Sequence, residues 1–149
     1  MISYIRRLGR SVKADDVFFA WTSGDLRRML AVLHLKTNPI DRHFVLMGIV
    51  SLTYKGRADP TLRRICREVG ARHIEELRSI APFLAKDMGG ILPRVSTFAH
   101  LATLLAEDGD IDEAIAVCAR AQQFGLHDGT KGDYAGRIER LRRKQRYSK

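Results

Sequence analysis

The sequence predicts an all-α fold, and three observations predict it. Apolar residues recur at i, i+3, i+4 and i+7 in several windows and do not alternate. Pro is scarce, with 4 in 149 residues. Pro39 and Pro60 follow Asn38 and Asp59, residue types that cap helices, so these prolines open helices rather than break them. Apolar residues make up 45% and charged residues 29%, a globular balance rather than a disordered one. The length suits one domain, residues 1–149.

The elements follow in order. Residues 1–14 form a basic segment, with Arg6, Arg7, Arg10 and Lys13 and no acid before Asp15. Ile2, Ile5, Leu8 and Val12 stand at near-helical spacing, which predicts a basic first helix. A mitochondrial presequence has the same character; a secretory signal would need an apolar stretch that is absent. Ser23 is the expected cap of a helix with Leu26, Met29, Leu30 and Leu33 on one side. Asn38-Pro39 opens a helix to about Tyr54, and Phe44 to Leu52 is apolar on most sides, which predicts the central core element. Residues 55–60 turn. Asp59-Pro60 then opens a helix carrying Leu62, Ile65, Cys66 and Val69, continuing past Gly70 to Ile74 and Leu77. Pro82 opens a short further segment, and Gly89-Gly90 with Pro93 forms a loop.

Ser96 or Thr97 caps the next helix, with Phe98, Leu101, Ala102 and Leu105 inward. Asp108-Gly109-Asp110 turns the chain into a helix with Ile111, Ala114, Ile115, Val117, Cys118 and Ala121 inward. Asp128-Gly129-Thr130 introduces a basic capping helix, residues 130–145, with Tyr134, Ile138 and Leu141 on its apolar side. That makes about seven helices, and their short connections predict antiparallel neighbours.

Lys and Arg total 26 against 17 Asp and Glu, a net charge of +9. The excess sits at the ends: residues 1–40 carry net +4, residues 41–130 net −1, and residues 131–149 net +6. Basic ends suit acidic partners or are simply solvated. No apolar stretch reaches the roughly 18 residues that a membrane span needs. Cys66 and Cys118 belong to no C-x-x-C pair and fall on apolar stripes, which predicts two buried thiols and a reducing, cytoplasmic setting.

Residues that could carry chemistry are scattered. His34, His43, His73, His100 and His127 show no metal-ligand spacing and read as surface or packing residues. Gly129-Thr130-Lys131-Gly132 lacks the strand, the Gly-rich approach and the following Ser or Thr of a phosphate loop. Asp108, Asp110 and Asp112 lack the closing Glu of a calcium loop. The expectation is therefore no catalytic residue, no metal and no cofactor.

Residues 95–128 resemble the tetratricopeptide repeat, a helix–turn–helix with a set pattern of small and large residues. Phe98 stands in the first aromatic position, Leu101-Ala102 in the Leu-Gly pair, and Leu105 in the next large position. Gly109-Asp110 makes the turn, Ala114 is the small crossing residue, Cys118 holds the large slot, and Ala121 is the second small residue. Phe44 to Ile74 has a similar layout at longer spacing. The resemblance implies a stack of antiparallel helix pairs with a groove lined by the first helix of each pair. Ser96, Ala99, Thr103, Ala106 and Glu107 would face that groove. Family members that grip a peptide carboxylate do so with Lys and Asn there. This chain has neither, so that ligand is not carried over.

Two functions follow as expectations. The first is a protein-interaction module whose partner is another protein. The alternative is a nucleic-acid-binding module using Arg137, Arg140, Arg143 and Lys144, which lie in or beside one stripe of the last helix.

Overall fold

The computed structural model describes residues 2–147. Among them the chain forms seven helices and one small hairpin. Strands β1 (Tyr4–Arg7) and β2 (Arg10–Lys13) precede α1 (Asp16–Ser23), α2 (Leu26–Ala31), α3 (Pro39–Lys55), α4 (Pro60–Asp87), α5 (Thr97–Glu107), α6 (Ile111–Gln123) and α7 (Asp133–Tyr147). The all-α expectation of about seven helices holds.

The N-terminal segment is the exception. It is an antiparallel hairpin, with Ile5 opposite Val12 and Arg7 opposite Arg10, and not a basic helix. Leu8 (φ 56°) and Gly9 (φ 77°) both take left-handed conformations, as the tightest hairpin turn requires. The Leu8 N–H donates to Asp87 Oδ1 at 2.7 Å, so α4 holds the turn in place. The buried Asp41 carboxylate accepts from Arg7 Nη2 at 2.7 Å, Trp21 Nε1 at 3.0 Å and Asn38 Nδ2 at 2.6 Å. Together these bonds clip the hairpin to the start of α3 and the end of α4.

Two helix boundaries also differ from expectation. Asp25, not Ser23, caps α2: its Oδ1 accepts from Arg27 N at 2.9 Å, while Ser23 ends α1. Pro82 lies inside α4 and does not open a new segment. Pro82 and Arg78 are exposed, so water reaches the carbonyl that the missing N–H leaves free.

The expected caps at Asn38-Pro39 and Asp59-Pro60 are present. The core is continuous from Val17 to Ile138, with α3 and α4 supplying much of it. In the 95–128 hairpin Phe98, Leu101, Ala102, Leu105, Ala114, Cys118 and Ala121 are buried, and Ile111 is half-buried. Cys66 and Cys118 are free thiols in the core. Packing runs α3 on α4, α4 on α5, α3 also on α5, α5 on α6, and α6 on α7. An ionic seam joins the start of α4 to the α5–α6 turn: Arg57 pairs with Glu107, Arg63 with Glu107 and Asp108, and Arg67 with Asp108 and Asp110. No described helix is long and apolar enough to cross a membrane.

Candidate functional site

A groove lies where α3, α5 and α7 meet. It holds two cavities, of about 340 Å³ and about 190 Å³, both lined by Thr103 and Arg137. Tyr54, at the end of α3, stacks on His100 of α5 with ring centroids 4.1 Å apart. Arg57 covers Tyr54, 4.0 Å from the ring centroid. From α7, Tyr134 and Ile138 turn into the core, which orients the i+3 neighbour Arg137 along the groove.

Arg137 braces the site. Its Nε donates to Asp128 Oδ2 at 2.5 Å and its Nη1 to Thr103 Oγ1 at 3.4 Å, joining the loop before α7 to α5. Asp128 also accepts from Thr130 N at 2.8 Å and Thr130 Oγ1 at 2.7 Å. Burial raises the Asp128 pKa, but the hydrogen bonds from Thr130 and Arg137 outweigh it and hold the carboxyl down to about 2. The same loop is tied by Asp133, which accepts from Asp128 N at 2.9 Å and His127 Nδ1 at 2.6 Å. Gly129 has φ 81°, and a Cβ there would come within 2.6 Å of the Arg94 guanidinium. Glycine thus leaves the room that Arg94 occupies beside the cavity.

The expected groove residues Ser96, Ala99 and Thr103 line the larger cavity, and Ala106 lines the smaller one. Glu107 does not face it: Arg57 holds its carboxylate with two bonds of 3.0 Å, and Arg63 adds another at 3.2 Å. Arg137, Arg140 and Lys144 come together along the smaller cavity. Arg143 is turned away and pairs with Glu139 at 3.8 Å. The residues that sequence reasoning missed are Tyr54, Arg94, His100 and the hydroxyl end of Tyr134, all of which line the larger cavity. No local signal marks Tyr54, Arg94 and His100, which reach the cavity from separate elements, and Asp128-Gly129-Thr130 before Tyr134 reads as a helix start.

Burial sets the remaining acid–base properties. It lowers the His100 pKa, and the charges of Arg137, Arg57 and Lys55 lower it further. It pushes Tyr134 up to about 12, so that hydroxyl stays protonated. It pushes Cys118 up to about 11 and raises Cys66, so neither thiol is a ready nucleophile. Among the described residues no three His, Cys, Asp or Glu side chains converge to hold a metal ion.

No family model matches the chain, and neither a curated protein nor a solved structure matches it.

Proposed function

We propose that the chain is a non-catalytic protein-interaction module, a stack of tetratricopeptide-like helix pairs whose α5–α7 groove receives an acidic segment of a partner protein. The observation that carries this reading is the charge of the continuous groove. Arg94, Arg137, Arg140 and Lys144 line it against one carboxylate, Asp128, which is already engaged by Arg137 and Thr130. The packing order supports the helix-pair reading, because each helix from α3 to α7 packs on its neighbour while α3 also reaches α5. Small wall residues, Ala99, Thr103 and Ala106, leave room for a bound backbone. Leu141 gives the segment an apolar contact beside the cations.

Arg137, Arg140 and Lys144, at i, i+3 and i+7 along one face, also support the nucleic-acid alternative. Tyr54, the aromatic ring beside the groove, is already engaged by His100 and Arg57, which leaves no free platform for stacking a base. A pull-down from native lysate, with and without nuclease, separates the two. Wild type is expected to retain a protein after nuclease treatment, and an Arg140→Gln/Lys144→Gln variant to lose it. Capture that vanishes with nuclease would favour nucleic acid. Equal capture by the variant would remove the groove from the interface.

A further inference from the structure

The larger cavity is ringed by polar side chains that have no hydrogen-bond partner among the described residues. They are the Tyr54 hydroxyl, the Arg94 guanidinium, the Ser96 hydroxyl, the His100 ring and the Tyr134 hydroxyl. Tyr134 is the most telling: the residue is only 1% exposed, its hydroxyl bonds to nothing in the protein, and that hydroxyl is not sealed from solvent, so the one open part of the side chain is its polar end at the cavity. Arg137 adds Nη2, since its bonds to Asp128 and Thr103 use Nε and Nη1. Ser96 makes no capping bond, so the first-turn N–H groups of α5 are uncapped at the same place. These groups are mostly donors, and the one carboxylate among them is already bonded three times.

We propose that this cavity is a subsite for a phosphate monoester, carried on the acidic partner segment that the groove receives; the proposal rests on that reading of the groove. A carboxylate presents two oxygens in one plane. A phosphate monoester presents three terminal oxygens in a tetrahedral array and close to two negative charges. It can therefore meet donors arriving from α3, α5, α7 and the loop of Arg94 at once. Two guanidiniums flank it, and their forked donors match phosphate oxygens. His100 reports the same field, because Arg137, Arg57 and Lys55 all disfavour its proton and a bound dianion offsets them. Tyr54, Arg94, Asp128 and Arg137 are the other ionisable side chains lining this cavity with His100 and Tyr134.

The test compares two peptides of Ser, Glu and Gly that differ only in one central phosphoserine, together with inorganic phosphate alone, on the full chain. Calorimetry gives affinity and NMR gives the His100 titration. The phosphopeptide is expected to bind about tenfold or more tightly than its serine twin, the gain of adding charged hydrogen bonds. The His100 titration is expected to move upward on binding. Arg94→Gln removes the charged guanidinium fork and Tyr134→Phe the hydroxyl, neither of which bonds within the fold, and both should shrink the difference. Arg78→Gln, an exposed arginine away from the groove, should not. Equal binding of the two peptides would overturn the subsite and leave the groove reading standing. No binding of either peptide, with His100 still shifted by inorganic phosphate, would overturn the partner's role and assign the cavity to free phosphate. No response to any of the three would overturn both.

Discussion

His73 Nε2 lies 2.9 Å from His43 Nδ1, and both rings are wholly buried. Thr97 Oγ1 sits 2.7 Å from the other His73 nitrogen, which completes a three-residue polar chain across α3, α4 and α5. Burial depresses both imidazoles: His43 to about 4, and His73 to about 3 with the charges of His43 and Arg42 contributing. In either tautomer His43 Nε2 has no partner. The pair is therefore held neutral. In the unfolded chain each ring takes its proton near pH 6.5, so stability is complete above that pH and is lost as pH falls toward 4. Each tenfold separation of proton affinity is worth about 1.4 kcal/mol, so the acid limb carries roughly 3 kcal/mol or more. The carboxylates with depressed pKa values, among them Glu76, Glu107 and Asp128, act in the same direction but only below about pH 4.5. The window from pH 6.5 to 4.5 thus reports the buried histidines, with His100 adding in the same sense. Thermal melts should show Tm falling through that window. A His43→Leu/His73→Met variant should flatten it, and a flat wild-type profile would contradict a neutral buried pair.

Asp41→Ala should be among the most damaging single changes. It would leave the Arg7 guanidinium, 14% exposed, without its carboxylate, and would strip Trp21 Nε1 and Asn38 Nδ2 of theirs. Removing one member of a buried pair costs about 3–5 kcal/mol. Trp21 is the only tryptophan and stacks on Phe44 at 4.9 Å, so its fluorescence reports this cluster directly. Urea denaturation should show the lost stability, with the emission of the folded variant shifted. Unchanged emission and midpoint would remove the clip from the account of the fold.

Ala114→Leu should overpack the α5–α6 crossing. Ala114 is fully buried, as are Phe98 and Cys118. Extra methylenes in a filled core cost about 1–3 kcal/mol. A Tm equal to wild type would show spare room at the crossing.

The cations of α7 should separate by role. Arg137→Gln breaks a bond to Asp128, whose side chain is fully buried, and should cost about 1–2 kcal/mol. Arg140→Gln changes an exposed residue and should stay within about 0.5 kcal/mol of wild type. Paired chemical denaturation curves decide it, and equal effects would deny Arg137 its bracing role.

Much of the helical order was legible because its signals are local. Asn38-Pro39 and Asp59-Pro60 declare their helices within a few residues, and Phe98 to Ala121 declares its inward side by period alone. The hairpin was not legible, because its turn places Leu8 where Asn, Asp or Gly is usual. The bond that holds Leu8 there comes from Asp87, 79 residues away. Ile2, Ile5, Leu8 and Val12 then imitate a helical period. Pro82 is the opposite case: a proline removes one backbone donor, which ends a helix where the freed carbonyl would be buried, and here both Arg78 and Pro82 are exposed. For the groove, Ser96, Ala99 and Thr103 follow from the tetratricopeptide resemblance, and Arg137, Arg140 and Lys144 from the charged stripe of α7. Neither could find Arg94 or Tyr54, which arrive from other elements, and periodicity filed Tyr134 as core without seeing where its hydroxyl ends.

The clipped hairpin has a consequence during synthesis. Its anchors, Asp41 and Asp87, lie 34 and 79 residues beyond Arg7 and Leu8. At the usual pace of translation, Asp87 follows Leu8 by roughly 4–16 s. The anchors of these strands are thus made well after the strands themselves, and through that interval the strand edges lack the bonds that hold them in the fold. Arg6, Arg7, Arg10 and Lys13 stand on those two strands. Charged side chains on open strand edges oppose edge-to-edge association. The positive charge of this segment thus opposes pairing of its strand edges with those of another chain, a property separate from the contacts it makes in the finished fold.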